Sequence, residues 1–319
     1  MKKFSTVLLA AVMLLPTTSA MTSCSDDDPV EETEKPQDNP QDNNDGESDN
    51  DNPNDNSGGN LPGIPQDVLI KVNEIYSKAS TGPQDIKTIS QLAIITSICA
   101  AREVDGPISV TNASLNNEDV TLVTLGGTEN KEGQATTLQE SQLAAFGKSN
   151  DYLTAVCRLF DNGTIPNNKP VIVTGISLGG MIAQQLLGVK EITDNFELRN
   201  IITFGSPLTL PFERNNVKVI RFADANDKVP QLGETVLRNG MVTGSTYTKE
   251  ELVSIISKLD QEEKIVRNGK YTGMIETHAL SYIEDDCWND IDFLGDKSRS
   301  NILRLKQDMT FYPAPQIKK

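Results

Sequence analysis

The stretch VIVTGISLGGMIAQQLL, residues 171 to 187, limits the possible folds more than any other part of the chain. An apolar, β-branched run from Pro170 to Thr174 has no polar alternation, so it reads as a strand buried on both faces. It ends at Gly175, and good helix formers follow from Leu178 to Leu187. A strand that turns this sharply into a helix needs small residues where helix and sheet come close, and Gly175 and Gly179 supply them. Between them lies Ser177. In a strand–turn–helix setting a G-x-S-x-G serine sits on a strained elbow with its hydroxyl presented at the strand's C-terminal end. The alternative is a glycine-rich turn with an idle serine.

The surrounding pattern supports an α/β architecture. Strands are expected at Asp119 to Leu125, Arg199 to Phe204 and Val217 to Phe222, and a long helical pattern from Leu138 through Phe160 supplies a crossover between the first of these and the strand at 170 to 174. Strands alternating with helices predict a mostly parallel central sheet with helices on both faces. Two helices precede the sheet: Gln66 to Ala79, with Val68, Leu69, Val72, Ile75 and Tyr76 on one stripe, and Thr88 to Ala101. Residues 231 to 276 read as an insertion with an exposed amphipathic helix at Lys249 to Glu263, placed to shape access to a site.

The first 60 of the 319 residues are of another kind. MKKFSTVLLAAVMLLPTTSA has a basic head, a short apolar core and small residues after it, which is a secretory signal and too short to span a membrane. Met21-Thr22-Ser23-Cys24 resembles the lipobox of bacterial lipoproteins, and Ser25-Asp26-Asp27-Asp28 resembles an acidic export tag. The expectation is a signal peptide over 1–23, acylation of Cys24, and anchoring on the outer membrane with exposure at the cell surface. Cleavage at Ala20 and release is the alternative.

Residues 24–60 form an acidic tether: positions 25 to 60 hold nine Asp, four Glu and one Lys, with no large apolar residue beyond Val30. Such a segment cannot bury enough surface to offset its ordering entropy. The whole chain is −16, yet subtracting the −12 of the tether and the +2 before it leaves only −6 on the domain at 61–319. That domain lacks the basic footprint of a nucleic-acid binder. Cys99, Cys157 and Cys287 allow one disulfide and a free thiol, or three reduced thiols, and no pair has zinc-site spacing.

A serine hydroxyl is a weak nucleophile at neutral pH and needs a base, which in turn needs an orienting group. The chain has one histidine, His278, so the base is forced if this chemistry operates. The acid should follow a strand between serine and histidine. Both Asp224 and Asp227, just past the strand at 217 to 222, qualify, and spacing alone does not choose between them.

Five short blocks lie in order: Gly126-Gly127-Thr128, GISLGG at 175 to 180, TFGSP at 203 to 207, NDKVP at 226 to 230 and HALSY at 278 to 282. In these residues the segment 122 to 282 resembles the class 3, or fungal-type, triacylglycerol lipase domain. The resemblance implies an α/β-hydrolase fold over 61–319, with Ser177 as nucleophile, Asp227 as the orienting acid and His278 as general base. It implies an oxyanion hole from the N–H of Leu178 with the N–H and hydroxyl of Thr128. Ile176 and Gly126 depart from it, standing where the family usually has His and Arg. Glu129 to Phe146 is either the family's amphipathic lid or, past residue 138, the start of the crossover helix. The implied activity is hydrolysis of carboxylic esters, lipid esters among them, with no metal or organic cofactor. The alternatives are a peptidase or acyltransferase on the same fold, and a non-catalytic surface lipoprotein that binds a glycan, lipid or host protein.

Overall fold

Alternation along the central strands decides which helices cover which face. In the computed structural model, which describes residues 65–100, 105–129, 133–214, 216–238, 247–284 and 286–317, the strands are β1 (Gln84–Ile86), β2 (Ile108–Leu115), β3 (Glu118–Leu125), β4 (Val171–Ile176), β5 (Leu198–Phe204), β6 (Lys218–Asp224), β7 (Lys264–Arg267), β8 (Leu303–Leu305) and β9 (Thr310–Tyr312). The expected signal peptide, Cys24 and the tether lie outside the described residues. The sheet order is β1-β8-β2-β3-β4-β5-β6-β7, with β9 also paired to β2. Strands β3 to β7 run parallel, and the β1, β8, β2 and β9 pairings are antiparallel.

The helices are α1 (Gln66–Lys78), α2 (Ile89–Ser97), α3 (Leu138–Ala145), α4 (Asp151–Asp161), α5 (Leu178–Gln185), α6 (Lys190–Asn195), α7 (Val229–Arg238), α8 (Lys249–Glu263) and α9 (Met274–Glu284). Ile172, Ile202, Phe204, Ile220 and Phe222 join a core with α1, α2 and α9, while Val171, Val173, Ile201 and Val219 join a separate core with α4, α5 and α6. Successive residues of one strand thus feed opposite cores, as a period of two requires, and each fully buried Ile or Phe contributes about 1.5–3 kcal/mol. Among the described residues no helix is long and apolar enough to cross a membrane.

Local chemistry sets the element boundaries. Thr88 and Gln91 form a capping box that starts α2, and Thr248 with Glu251 does the same for α8. The helical pattern from Leu138 through Phe160 is two helices, because Gly147 takes φ +65° and closes α3: its N–H bonds Ala144 O and that of Lys148 bonds Leu143 O. Asn150 then caps α4 by accepting from the Leu153 N–H at 2.8 Å. Asn116 and Asn117, both at positive φ, turn β2 into β3, a hairpin absent from the sequence reading.

Residues 231 to 276 are not an insertion. They hold the crossover α7–α8 and the strand β7, which extends the parallel sheet beyond β6. The apolar pattern weakens there because charge occupies buried positions: Arg221 on β6, 2 % exposed, pairs with Asp260 and Glu263 of α8, Arg214 binds Glu263 at 2.5 Å, and Lys264 bonds Glu234. Removing one partner of a buried ion pair strands the other, at a cost of about 3 kcal/mol. Arg221→Ala should therefore lower the urea midpoint by that equivalent, whereas Lys258→Ala, at an exposed pair on the same helix, should shift it by no more than about 0.5 kcal/mol.

Candidate active site

The elbow at Ser177 is a backbone constraint before it is a chemical one. Ser177 takes φ +52° and ψ −120°, held by its N–H on Phe204 O at 3.0 Å and by its carbonyl, which accepts from Gly180 and Met181. Helix α5 therefore starts hard against the sheet. A side chain on Gly179 would come within 2.1 Å of Leu125 O, so only glycine allows this approach. Ser177 occupies the N-cap position yet makes no capping hydrogen bond, which leaves its hydroxyl uncommitted.

The strands β5 and β6 bring the partners to the same rim. Past the end of β6, Asp227 is fully buried and accepts three hydrogen bonds: His278 Nδ1 at 2.8 Å and the Tyr282 hydroxyl at 2.8 Å on Oδ2, and the Val229 N–H at 2.9 Å on Oδ1. A carboxylate facing Nδ1 assigns the proton to that nitrogen and leaves the lone pair on Nε2. Asp224, the other candidate, accepts from Ser281 Oγ at 2.5 Å and from the N–H groups of Asn226 and Gly269. Geometry thus assigns Asp227 to the histidine and Asp224 to holding the loop.

Gly205 is the joint between the halves of the site. It has φ +56°, and a Cβ there would lie 2.9 Å from Asp227 Oδ2 and 3.1 Å from His278 Cε1. Its neighbour Phe204 carries the carbonyl that binds Ser177 N–H. Ser177 and His278, each 5 % exposed, therefore share the rim, but no hydrogen bond joins Ser177 Oγ to His278 in this structure. Such contacts are commonly loose without substrate.

The turn at 126 to 128 lies against the elbow: a side chain on Gly127 would come within 3.4 Å of Ser177 Cβ. The N–H groups of Leu178 and Thr128 engage no protein acceptor. The Thr128 hydroxyl is hydrogen-bonded to Ser141 Oγ at 2.8 Å, and Ser141 in turn donates to Thr137 O at 3.2 Å. If Ser141 spends its proton there, Thr128 must donate to Ser141, so its hydroxyl anchors the turn and only its N–H remains for a ligand. The two departures have structural occupants. Ile176 joins the core under α2, and Cys99 Sγ fills the space beside Gly126. Among the described residues Cys99, Cys157 and Cys287 form no disulfide with one another. Residues 138 to 145 form helix α3, with Ala144 and Ala145 buried in the core it shares with α4 and α5, while residues 130–132 lie outside the described residues. Among the described residues no group of three or more His, Cys, Asp or Glu could hold a metal.

Tyr282 escaped the sequence reading as a functional residue. Its signal was present, because Ser281 and Tyr282 stand three and four residues after His278 and thus on the same face of a helix.

Fold and site together define an α/β-hydrolase-like domain: a mostly parallel sheet, helices on both faces, and the serine elbow at the C-terminal rim. A family model described as "PGAP1-like alpha/beta domain" matches residues 135–292. Among solved structures, a Rhizomucor miehei lipase propeptide complex is similar at 14% identity and a TM-score of 0.26, covering 77% of this chain and 73% of that one. A fungal lipase–inhibitor complex is similar at 13% identity and a TM-score of 0.24, covering 77% and 87%. Likenesses of this size carry no inference about chemistry. No curated protein matches the chain.

Burial raises the Tyr282 phenol well above its ordinary range and does the same to Tyr152. The unfolded chain releases these protons first, so the stabilisation they reflect is complete below the ordinary phenol range and falls as pH rises through it. Spectrophotometric titration should find these two phenols silent until the fold is lost. Tyr282→Phe should remove that share of the alkaline instability and cost about 1–3 kcal/mol at neutral pH, because the buried Asp224 N–H, bonded to the hydroxyl at 3.0 Å, loses its acceptor.

Proposed function

We propose that this protein is a serine acyl hydrolase that cleaves carboxylic esters, lipid esters in particular, through an acyl-enzyme. The observation that carries the reading is the buried Asp227–His278 hydrogen bond on Nδ1, beside a strained elbow whose serine hydroxyl is uncommitted. In the mechanism, His278 Nε2 takes the Ser177 proton as Oγ attacks the ester carbonyl, while Asp227 holds the tautomer and stabilises the imidazolium. The developing alkoxide is received by the N–H groups of Leu178 and Thr128, each such donor being worth a few kcal/mol in a water-poor site. Collapse expels the alcohol, protonated by His278, and water repeats the sequence to release the acid and free Ser177.

Ser177→Ala should lower the hydrolysis of p-nitrophenyl esters by about 10⁴-fold or more, with the fold intact by circular dichroism. Equal rates in the two proteins would end the proposal. One observation favours a second reading, in which the domain binds a ligand without turnover: Ser177 and His278 are not hydrogen-bonded in this structure. Covalent labelling of Ser177 by a fluorophosphonate would exclude that reading, since it requires an activated hydroxyl.

We further propose that the domain is held at the outer membrane by acyl chains on Cys24. Several chains, at about 0.8 kcal/mol per buried methylene, anchor stably where one does not. Metabolic labelling with an alkyne fatty acid should tag the wild type and not Cys24→Ser.

A further inference from the structure

A groove of about 530 Å³ opens where α9 ends, walled by Arg267, Lys297 and Arg299 together with Asp286, Asp290 and Asn289. Three cations in one concavity stand out in a domain whose net charge is −6. They are not equally engaged. Arg267 forms a two-pronged pair with Asp290, at 2.9 and 3.4 Å, and is thereby neutralised. Lys297 makes no ion pair within contact distance, although its charge, after that of Arg267, helps hold the Asp290 carboxyl below its ordinary range, and Arg299 uses a single Nη1 donor on Asn289 O. Most of a planar guanidinium fork and an ammonium with no hydrogen-bond acceptor of its own line the same space, and with Arg267 they outnumber the two carboxylates there; guanidinium and ammonium together are a donor set that receives phosphate oxygens.

The loop presenting them is fixed from beneath. Asp292 is fully buried and accepts from the N–H groups of Leu294 and Asp296 on Oδ1, and from the N–H and side-chain amide of Asn301 on Oδ2. Four donors on one carboxylate hold residues 294 to 301 in a single arrangement. Within it Arg299 takes φ +51°, an expensive conformation for a side chain with a Cβ. The groove also shares the rim of the elbow: Arg267 ends β7 and its carbonyl accepts from Ala225, two residues before Asp227. Helix α9 carries His278 in its second turn and ends at Glu284, just before the groove residue Asp286.

We infer that this groove is a phosphate-binding site that takes the anionic headgroup of the ester substrate, leaving the acyl chain to reach the elbow. The headgroup role rests on the proposed hydrolase reading, while binding of phosphate by the groove does not. The chain's one tryptophan, Trp288, is buried in the core directly behind the wall residues Cys287 and Asn289, with its Nε1 on Ser281 O at 2.9 Å, so its fluorescence is the label-free signal for occupancy.

Titration of the full-length protein with glycerol 3-phosphate or inorganic phosphate should give a saturable change, and glycerol none. Lys297→Ala with Arg299→Ala should weaken binding about tenfold or more, as expected for loss of charge-assisted hydrogen bonds, at an unchanged thermal midpoint. With a phospholipid in mixed micelles, the double variant should raise KM about tenfold at unchanged kcat and leave p-nitrophenyl butyrate kinetics untouched. No saturable response, or one that persists in the double variant, would overturn the site: the cations would then serve only the two aspartates and the helix end. Phosphate binding without the KM effect would assign the groove to free phosphate and overturn the headgroup role. Wild-type protein that hydrolyses no ester would overturn the hydrolase reading instead, with the fluorescence titration still deciding the site.

Discussion

The rest of the site depends on how closely α5 lies to the sheet. Ser177 sits at a backbone conformation that costs a residue with a Cβ about 1–3 kcal/mol, and something must hold it there. The holding is done by packing: Leu178, Met181 and Ile182 are buried in the core beneath α5, and Gly179 rests on the backbone carbonyl of Leu125. Any larger residue at 179 would push the helix away and relax the elbow. The same carbonyl contact seats the 126–128 turn beside Ser177, so the serine and the two free N–H groups are positioned by one close approach rather than by separate devices.

Acid and base follow a second constraint, at the end of β6. Two aspartates three residues apart, Asp224 and Asp227, are both buried, and like charges so near each other are stable only if each carboxylate is well supplied with donors. They divide the donors cleanly. Backbone N–H groups and Ser281 go to Asp224, while His278, Tyr282 and the Val229 N–H go to Asp227. Tyr282 touches both systems, donating to Asp227 and accepting from the Asp224 N–H. Its ring stacks on Trp288, whose other neighbour is Phe222 of β6, so α9 is fixed to the strand that carries the acid.

Much of this was legible because its determinants are local. The strand–elbow–helix unit, the strands at 119, 199 and 217, and the helices α1 and α2 follow from periodicity and from glycines with steric duties, although α2 does not precede the sheet as expected, because β1 joins the sheet between the two helices. The choice of Asp227 over Asp224 was not legible from spacing, because both follow the same strand and only the fold decides which one meets the imidazole. β1, β8 and β9 were missed because three-residue strands such as Leu303–Leu305 carry no periodic signal and exist only through long-range pairing with Gln84–Ile86 and Ala113–Leu115. β2 is longer, but NAS in its middle and the Asn-Asn turn after it were passed over, although two Asn at a hairpin are a direct turn signal.

The misreading of residues 231 to 276 has a different cause, and it says something about the molecule. Hydrophobic periodicity finds a crossover helix by its apolar stripe, and α8 has one in Leu252, Ile256 and Leu259, packed on Leu208 and Phe212. At its C-terminal end the stripe continues as Asp260 and Glu263, whose partners are Arg221 inside the sheet, Arg214 and Lys264. A buried ionic layer gains little net stability over an apolar one but punishes misregistration, because a shift of one residue would leave charges unpaired. Here it fixes α8, and with it β7, against the strand that ends in Asp224. The acid loop is consequently gripped on both sides, by the carbonyl of Arg267 from β7 and by Tyr282 from α9. Rigidity at Asp227 thus comes partly from charges that, read along the sequence alone, look like a solvated surface.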